Sequence, residues 1–295
     1  MADHAHVIER DKTSLLFAFV ITATIFIAEV AGGILANSLA LLADAVHMLS
    51  DLAGLGLGLF GLWLATQPAP PQRTYGDYRT EIVAALFNGV LLVLVALYIL
   101  YEAFTRIQNP PEVRSSLMLA VASIGLAANL ASALVLSGHI KENLNVRAAF
   151  LHVVSDASAS VGTIAAALII LFAGFTLADP GIGILIGLLV IYNAWQITRE
   201  ALDVLMEAAP AHINLKSVED ALLSVDGVKS VHDLHVWTVT SGLVAMSGHV
   251  VVDESADRQR ILELTCDALQ HRFKLNHCTL QLELEGTTPH EEHFW

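Results

Sequence analysis

Asn37-Ser38-Leu39-Ala40-Leu41-Leu42-Ala43-Asp44-Ala45-Val46-His47-Met48-Leu49-Ser50-Asp51 is the stretch from which the fold is read, because it sets an imidazole and a carboxylate inside an apolar run. His47 and Asp51 are one helical turn apart, so a helix presents both on one face. A second stretch, Leu144-Asn145-Val146-Arg147-Ala148-Ala149-Phe150-Leu151-His152-Val153-Val154-Ser155-Asp156, repeats the spacing with His152 and Asp156. Ionisable groups in hydrocarbon are costly, and a single pair of this kind reads equally well as a self-neutralising hydrogen bond inside a bundle. A fold has little structural reason to meet that cost twice. Together the two pairs form a set of two imidazole nitrogens and two carboxylates.

The surroundings of both stretches make this a membrane protein. Of 295 residues, 55% are hydrophobic and 15% charged, and the apolar residues gather in runs. A hydrocarbon core of about 30 Å requires about 20 apolar helical residues. Six segments meet that length: 15–35, 39–66, 81–106, 117–137, 147–175 and 180–206. The first reads as a span and not as a cleaved signal, since its apolar core is long and no clear small-residue cleavage site follows. The expected organisation is an N-terminal tail (1–14), a six-helix membrane domain (15–207) and a polar C-terminal domain (208–295).

Basic residues set the orientation. Arg10, Lys12, Arg73, Arg79, Lys141, Arg147 and Arg199 fall on one side and only Arg106 and Arg114 on the other, so both termini are expected in the cytoplasm. The formal net charge of −14 excludes nucleic acid as a partner and suits a handler of cations. Cys266 and Cys278 are the two cysteines, too few for a disulfide framework and consistent with a reducing compartment.

Small residues beside the two pairs (Ala43, Ala45, Ser50, Ala53, Gly54; Ala148, Ala149, Ser155, Ala157, Ser158) permit close approach of two antiparallel helices. A closed tetrahedral set of two imidazoles and two carboxylates suits Zn2+. The lack of thiolate disfavours copper(I), and manganese or magnesium would prefer oxygen alone. Glu29, Asp44, Asn88, Glu102 and Asn129 are further polar groups in the spans; lining a cation path or supporting the ligands is one reading, and pairing across helices is the simpler one. Asp179-Pro180 reads as an N-cap followed by the first helical residue.

Residues 208–295 follow an α-β-β-α-β pattern, expected to form an α+β sandwich with two helices on a mixed sheet. His232, His249 and Glu283 fall on three different strands and form a second candidate metal set. His271, His277 or Cys278 are candidate extra ligands, and His4, His6, His290 and His293 could donate from a neighbouring chain. His235 reads as a structural histidine near Trp237.

The two quoted stretches, with Tyr75-Gly76, Arg79, Glu81, Asp179-Pro180 and His232-Asp233-Leu234-His235-Val236-Trp237, resemble the cation diffusion facilitators across nearly the whole chain. The resemblance implies a homodimeric exporter of divalent metal driven by inward proton flow, with a metallochaperone-like cytoplasmic domain. It assigns His47, Asp51, His152 and Asp156 to the transport site, and histidine at position 47 goes with zinc and cadmium. Val46 and Ser155 depart from the family, where glycine is common. The loop from Gln67 to Asp77 has no histidine, so the additional loop metal site of some relatives is expected to be absent. No His-rich insertion separates the fourth and fifth spans, which suits a bacterial or archaeal inner membrane. An intramembrane metalloenzyme, which keeps an open coordination position and an acid-base partner, and a metal-sensing scaffold without flux are the competing readings.

Overall fold

The computed structural model describes the backbone of residues 2–64, 71–137, 144–240, 242–275 and 277–285, and the side chains of these except 2–15, 17, 62, 64, 135–137 and 144–152. Six long helices come first: α1 (Ala2–Ala36), α2 (Leu39–Leu64), α3 (Arg79–Gln108), α4 (Ser115–Ser137), α5 (Leu144–Ala173) and α6 (Ala178–Leu205). All six are long and apolar enough to cross a membrane. The first helix begins well before its apolar core, because nothing in the polar run ahead of it breaks a helix.

Large apolar side chains remain exposed on these helices. Phe87, Tyr101, Leu134 and Phe172 are each more than 60% exposed, which water would not tolerate in such number and which lipid requires. The buried faces form two clusters. Leu39, Ala43, Leu92, Ala96, Ile99, Ile186 and Val190 join α2, α3 and α6; Ala36, Ala40, Leu41, Met118, Ala122, Ala166 and Ile170 join α1, α2, α4 and α5. Alanine dominates both, because packing without a hydrophobic drive depends on close backbone approach. Gly32 shows how close: a Cβ there would lie 2.7 Å from a Val121 methyl carbon.

A buried polar joint connects α1 to α2. Asn37, with φ of 54°, closes α1 in the left-handed conformation that asparagine accepts. Ser38 then caps α2, its Oγ accepting from the Leu41 N–H at 3.2 Å. The Asp179 carboxylate accepts from Ser38 Oγ at 2.6 Å, the Leu39 N–H at 2.8 Å and the Ala40 N–H at 3.1 Å. The Asp179-Pro180 pair predicts a cap on its own helix; instead Asp179 caps α2 across the bundle. Arg106 lies 3.7 Å from Asp179, bonds Glu102 at 2.9 Å and donates to the Asn37 carbonyl at 2.8 Å. Glu102 is thus paired within α3.

The C-terminal unit is built from α7 (Leu215–Leu223), β1 (Val228–Thr240), β2 (Leu243–Val252), α8 (Arg258–Phe273) and β3 (His277–Leu284). The sheet order is β1-β2-β3, with β1 antiparallel to β2 and β2 parallel to β3. Val218, Leu222, Val236, Met246 and Leu269 form the core between sheet and helices. Asn214 and Asp257 cap the two helices, each accepting a backbone N–H three residues on. Arg79 and Glu81 at the start of α3 belong to this unit: Arg79 pairs with Glu207 at 2.8 Å, and Thr240 donates to Glu81.

Candidate metal centres

The first centre lies between α2 and α5. His47 and Asp51 share one face of α2 by their spacing, and Asp156 comes from α5. One ligand atom from each of the three falls within 4.8 Å of the others. The His47 Nε2 and Asp156 Oδ1 atoms are 3.2 Å apart, with side chains 11% and 16% exposed. Two carboxylates and an imidazole therefore stand close enough for one ion to reach all three, with His47 and Asp156 largely buried. His152 lies one turn before Asp156 on α5, and its side chain is outside the described residues.

Two carboxylates that the spacing argument set aside border this centre. Asp44, one turn before His47, is 3% exposed and accepts from Ser160 Oγ at 3.5 Å. Glu29 is 2% exposed on α1, and a Cβ at Gly125 would approach its Oε1 to 2.7 Å, so glycine there leaves room for it. Their depth in apolar runs already marked them in the sequence; what the sequence did not show is that they lie beside this centre.

The second centre is on the C-terminal sheet. His232 and His249 are direct cross-strand partners of β1 and β2, with ring centroids 5.1 Å apart. Glu283 reaches both, 3.2 Å from His232 Nε2 and 2.7 Å from His249 Nδ1. Burial by itself would lift the Glu283 carboxyl, but the hydrogen bonds and charges of His249 and His232 outweigh it and hold the group below the usual carboxylate range. One ligand atom from each of these three also lies within 4.8 Å of the others. Gln281 donates to Glu283 at 2.9 Å and steadies it.

A bulge aligns the neighbouring residues. The register of β1 shifts between His232 and His235, where Asp233 has φ of 51°, so His232 and His235 both pair with same-face residues of β2. His235 Nε2 bonds Asp233 at 2.9 Å, which makes it a partnered histidine.

The extra ligands expected from sequence do not join this set. Cys278 is five residues from Glu283, and an odd separation on a strand sends the two side chains to opposite faces. It packs instead with the core cluster under the helices. His277 is six residues away, about 20 Å along the strand, and meets the Tyr75 ring edge-on at 5.6 Å. His271 sits exposed in the last turn of α8, in the helix layer. The side chains of His4 and His6, and all of His290 and His293, are outside the described residues.

Comparison with known proteins gives a consistent result. Residues 15–206 match the family described as cation efflux transmembrane domain, and residues 210–285 the family described as cation efflux protein, cytoplasmic domain. The metal cation efflux system protein CzcD of Cupriavidus metallidurans is 44% identical over 93% of this chain and 87% of its own length. A cadmium, cobalt and zinc/H(+)-K(+) antiporter of Bacillus subtilis is 41% identical over 96% of this chain and 92% of its own. The zinc transporter ZitB of Escherichia coli is 38% identical over 97% and 95%.

Proposed function

This chain belongs to the cation efflux family of metal transporters, the cation diffusion facilitators, and from that premise we propose that it exports Zn2+ from the cytoplasm in exchange for protons. It is a multi-pass membrane transporter and not an enzyme. Cadmium and cobalt are the alternative cargoes that fit the same donors. The observation that carries the reading is the convergence of His47, Asp51 and Asp156 between α2 and α5. His152 supplies the fourth ligand and closes a tetrahedron. A closed set favours carriage over hydrolysis, and the efflux names of the relatives speak against a scaffold without flux.

The exchange follows from ligand chemistry. Zinc needs neutral imidazole and ionised carboxylate, so loading releases protons and reprotonation expels the metal. Imidazole titrates near pH 6.5 when unperturbed, inside the physiological range. The site loads while open to the cytoplasm and trades zinc for protons while open to the other side, by alternating access. The protein sits in the inner membrane with both termini cytoplasmic, as a homodimer joined through residues 208–295; residues 15–207 span the bilayer and 1–14 form a tail. A match to a cytoplasmic domain family named for dimers supports that assembly.

In proteoliposomes, an acidic lumen should drive zinc inward and zinc entry should alkalinise the lumen. Zinc flux indifferent to the imposed pH gradient would sink the coupling, and a response to a potassium gradient alone would reassign it. Run with zinc, cadmium, cobalt and manganese, the same assay ranks the cargoes.

His232, His249 and Glu283 hold a second, cytoplasmic Zn2+, which pins β1, β2 and β3 together and stabilises the domain by mass action. Glu283→Ala should lower bound zinc from two ions per protomer to one and weaken cytoplasmic binding by about tenfold or more. Equilibrium dialysis of the full chain reads this directly; an unchanged stoichiometry in the variant would remove the site.

A further inference from the structure

Cys266 of α8 and Cys278 of β3 bring their Sγ atoms to 3.0 Å at the seam between helix and sheet. Both are free thiols, partly buried. A tetrahedral zinc with Zn–S bonds of about 2.3 Å would hold two thiolates nearly 4 Å apart. Closure to an S–S bond of about 2.05 Å needs only about 1 Å of approach. The spacing therefore suits a bond between the sulfurs better than a metal between them.

We propose that Cys266 and Cys278 form a reversible intramolecular disulfide by exchange with a small disulfide such as oxidised glutathione. The Cys278 sulfur attacks the small disulfide, breaking its S–S bond, releasing one thiolate and leaving a mixed disulfide on Cys278. Cys266 then loses its proton to solvent and attacks the Cys278 sulfur, displacing the second thiolate. Two protein thiols are oxidised, one small disulfide is reduced to two thiols, and the two protons pass through solvent to the released thiolates.

The order of attack follows from the environment. Burial, then the hydrogen bond with Cys278, pushes the Cys266 thiol up to about 12, so it keeps its proton at neutral pH. That arrangement assigns attack to Cys278 and resolution to Cys266. In a reducing compartment such a bridge is a transient response to oxidant and not a structural staple. Once closed, it fixes β3, the strand that carries Glu283, to α8.

The full-length protein in detergent, incubated with oxidised glutathione, alkylated and peptide-mapped, tests the idea. The expected result is loss of both thiols with no retained glutathione, a peptide pair linked through 266 and 278, and full reversal by reduced thiol. Cys266→Ser should stop at one glutathione adduct on Cys278, and Cys278→Ser should react about tenfold more slowly or worse. A mixture of isotopically heavy and light protein distinguishes links within one protomer from links between two. Two persistent free thiols, separate adducts on both cysteines without a link, or links only between protomers would each overturn the proposal.

Discussion

Replacing Asp51 or Asp156 with alanine is expected to reduce zinc efflux to background while leaving a folded dimer in the membrane. Each carboxylate supplies a charge that zinc needs to leave water, and three remaining ligands with one fewer charge hold the ion poorly. Loss of an outer partner of a metal ligand costs ten- to a hundredfold in affinity, so loss of a ligand should cost about a hundredfold or more.

The fold should survive because the bundle does not rest on these groups. Its buried contacts come from Leu39, Ala43, Leu92 and Ile186 on one side and Leu41, Met118 and Ile170 on the other. Removing one of two neighbouring carboxylates also relieves their mutual repulsion beside the 3%-exposed Asp44. Zinc uptake in proteoliposomes, read with size-exclusion elution of the same preparation, checks both halves. Residual efflux above a tenth of wild type in Asp51→Ala would move the transport site elsewhere, and an aggregated variant would show that the group is structural.

The membrane spans were legible because they depend on a local signal, run length; the four-residue spacing is as local, and the structure brings His47, Asp51 and Asp156 together. The small residues beside both pairs also pointed to a close approach of α2 and α5, but helices apolar on all sides carry no periodicity that says which of their other faces meet which neighbour. For the same reason Asp179 was read beside its own Pro180; its partners are about 140 positions away in the chain and appear only when α6 packs against α2. On the C-terminal sheet, part of what was misread was in fact written in the sequence. Glu283 and Cys278 differ in strand parity, which already separates them. The bulge at Asp233 has no such local warning, because an Asp-Leu dipeptide inside a strand pattern does not announce a positive φ. Cys266 and Cys278 meet only because the chain turns back between α8 and β3.

Asp179→Ala should destabilise the membrane domain more than any single change at the zinc ligands. The carboxylate is wholly buried and accepts from one hydroxyl and two backbone N–H groups at the start of α2. Alanine would leave those donors without their acceptor and remove one of the two carboxylates beside the Arg106 guanidinium, Glu102 remaining. Removing one member of a buried charged network costs about 3–5 kcal/mol. Part of that is the loss of negative charge at a helix N-terminus, where the aligned peptide dipoles favour it.

The effect should reach the transport site through geometry. His47 and Asp51 follow Leu39 by about two and three turns on the same rigid helix, so loosening its first turn displaces both. Asp179→Asn, which keeps an acceptor oxygen but loses the charge, should fall between wild type and alanine in both stability and zinc affinity. Thermal unfolding in detergent with and without zinc separates the two contributions. A melting temperature within about 2 °C of wild type for Asp179→Ala would show that water replaces the carboxylate at the helix start. A large drop that saturating zinc partly restores would show that the cap and the metal organise the same helix, one from its first turn and the other from its middle.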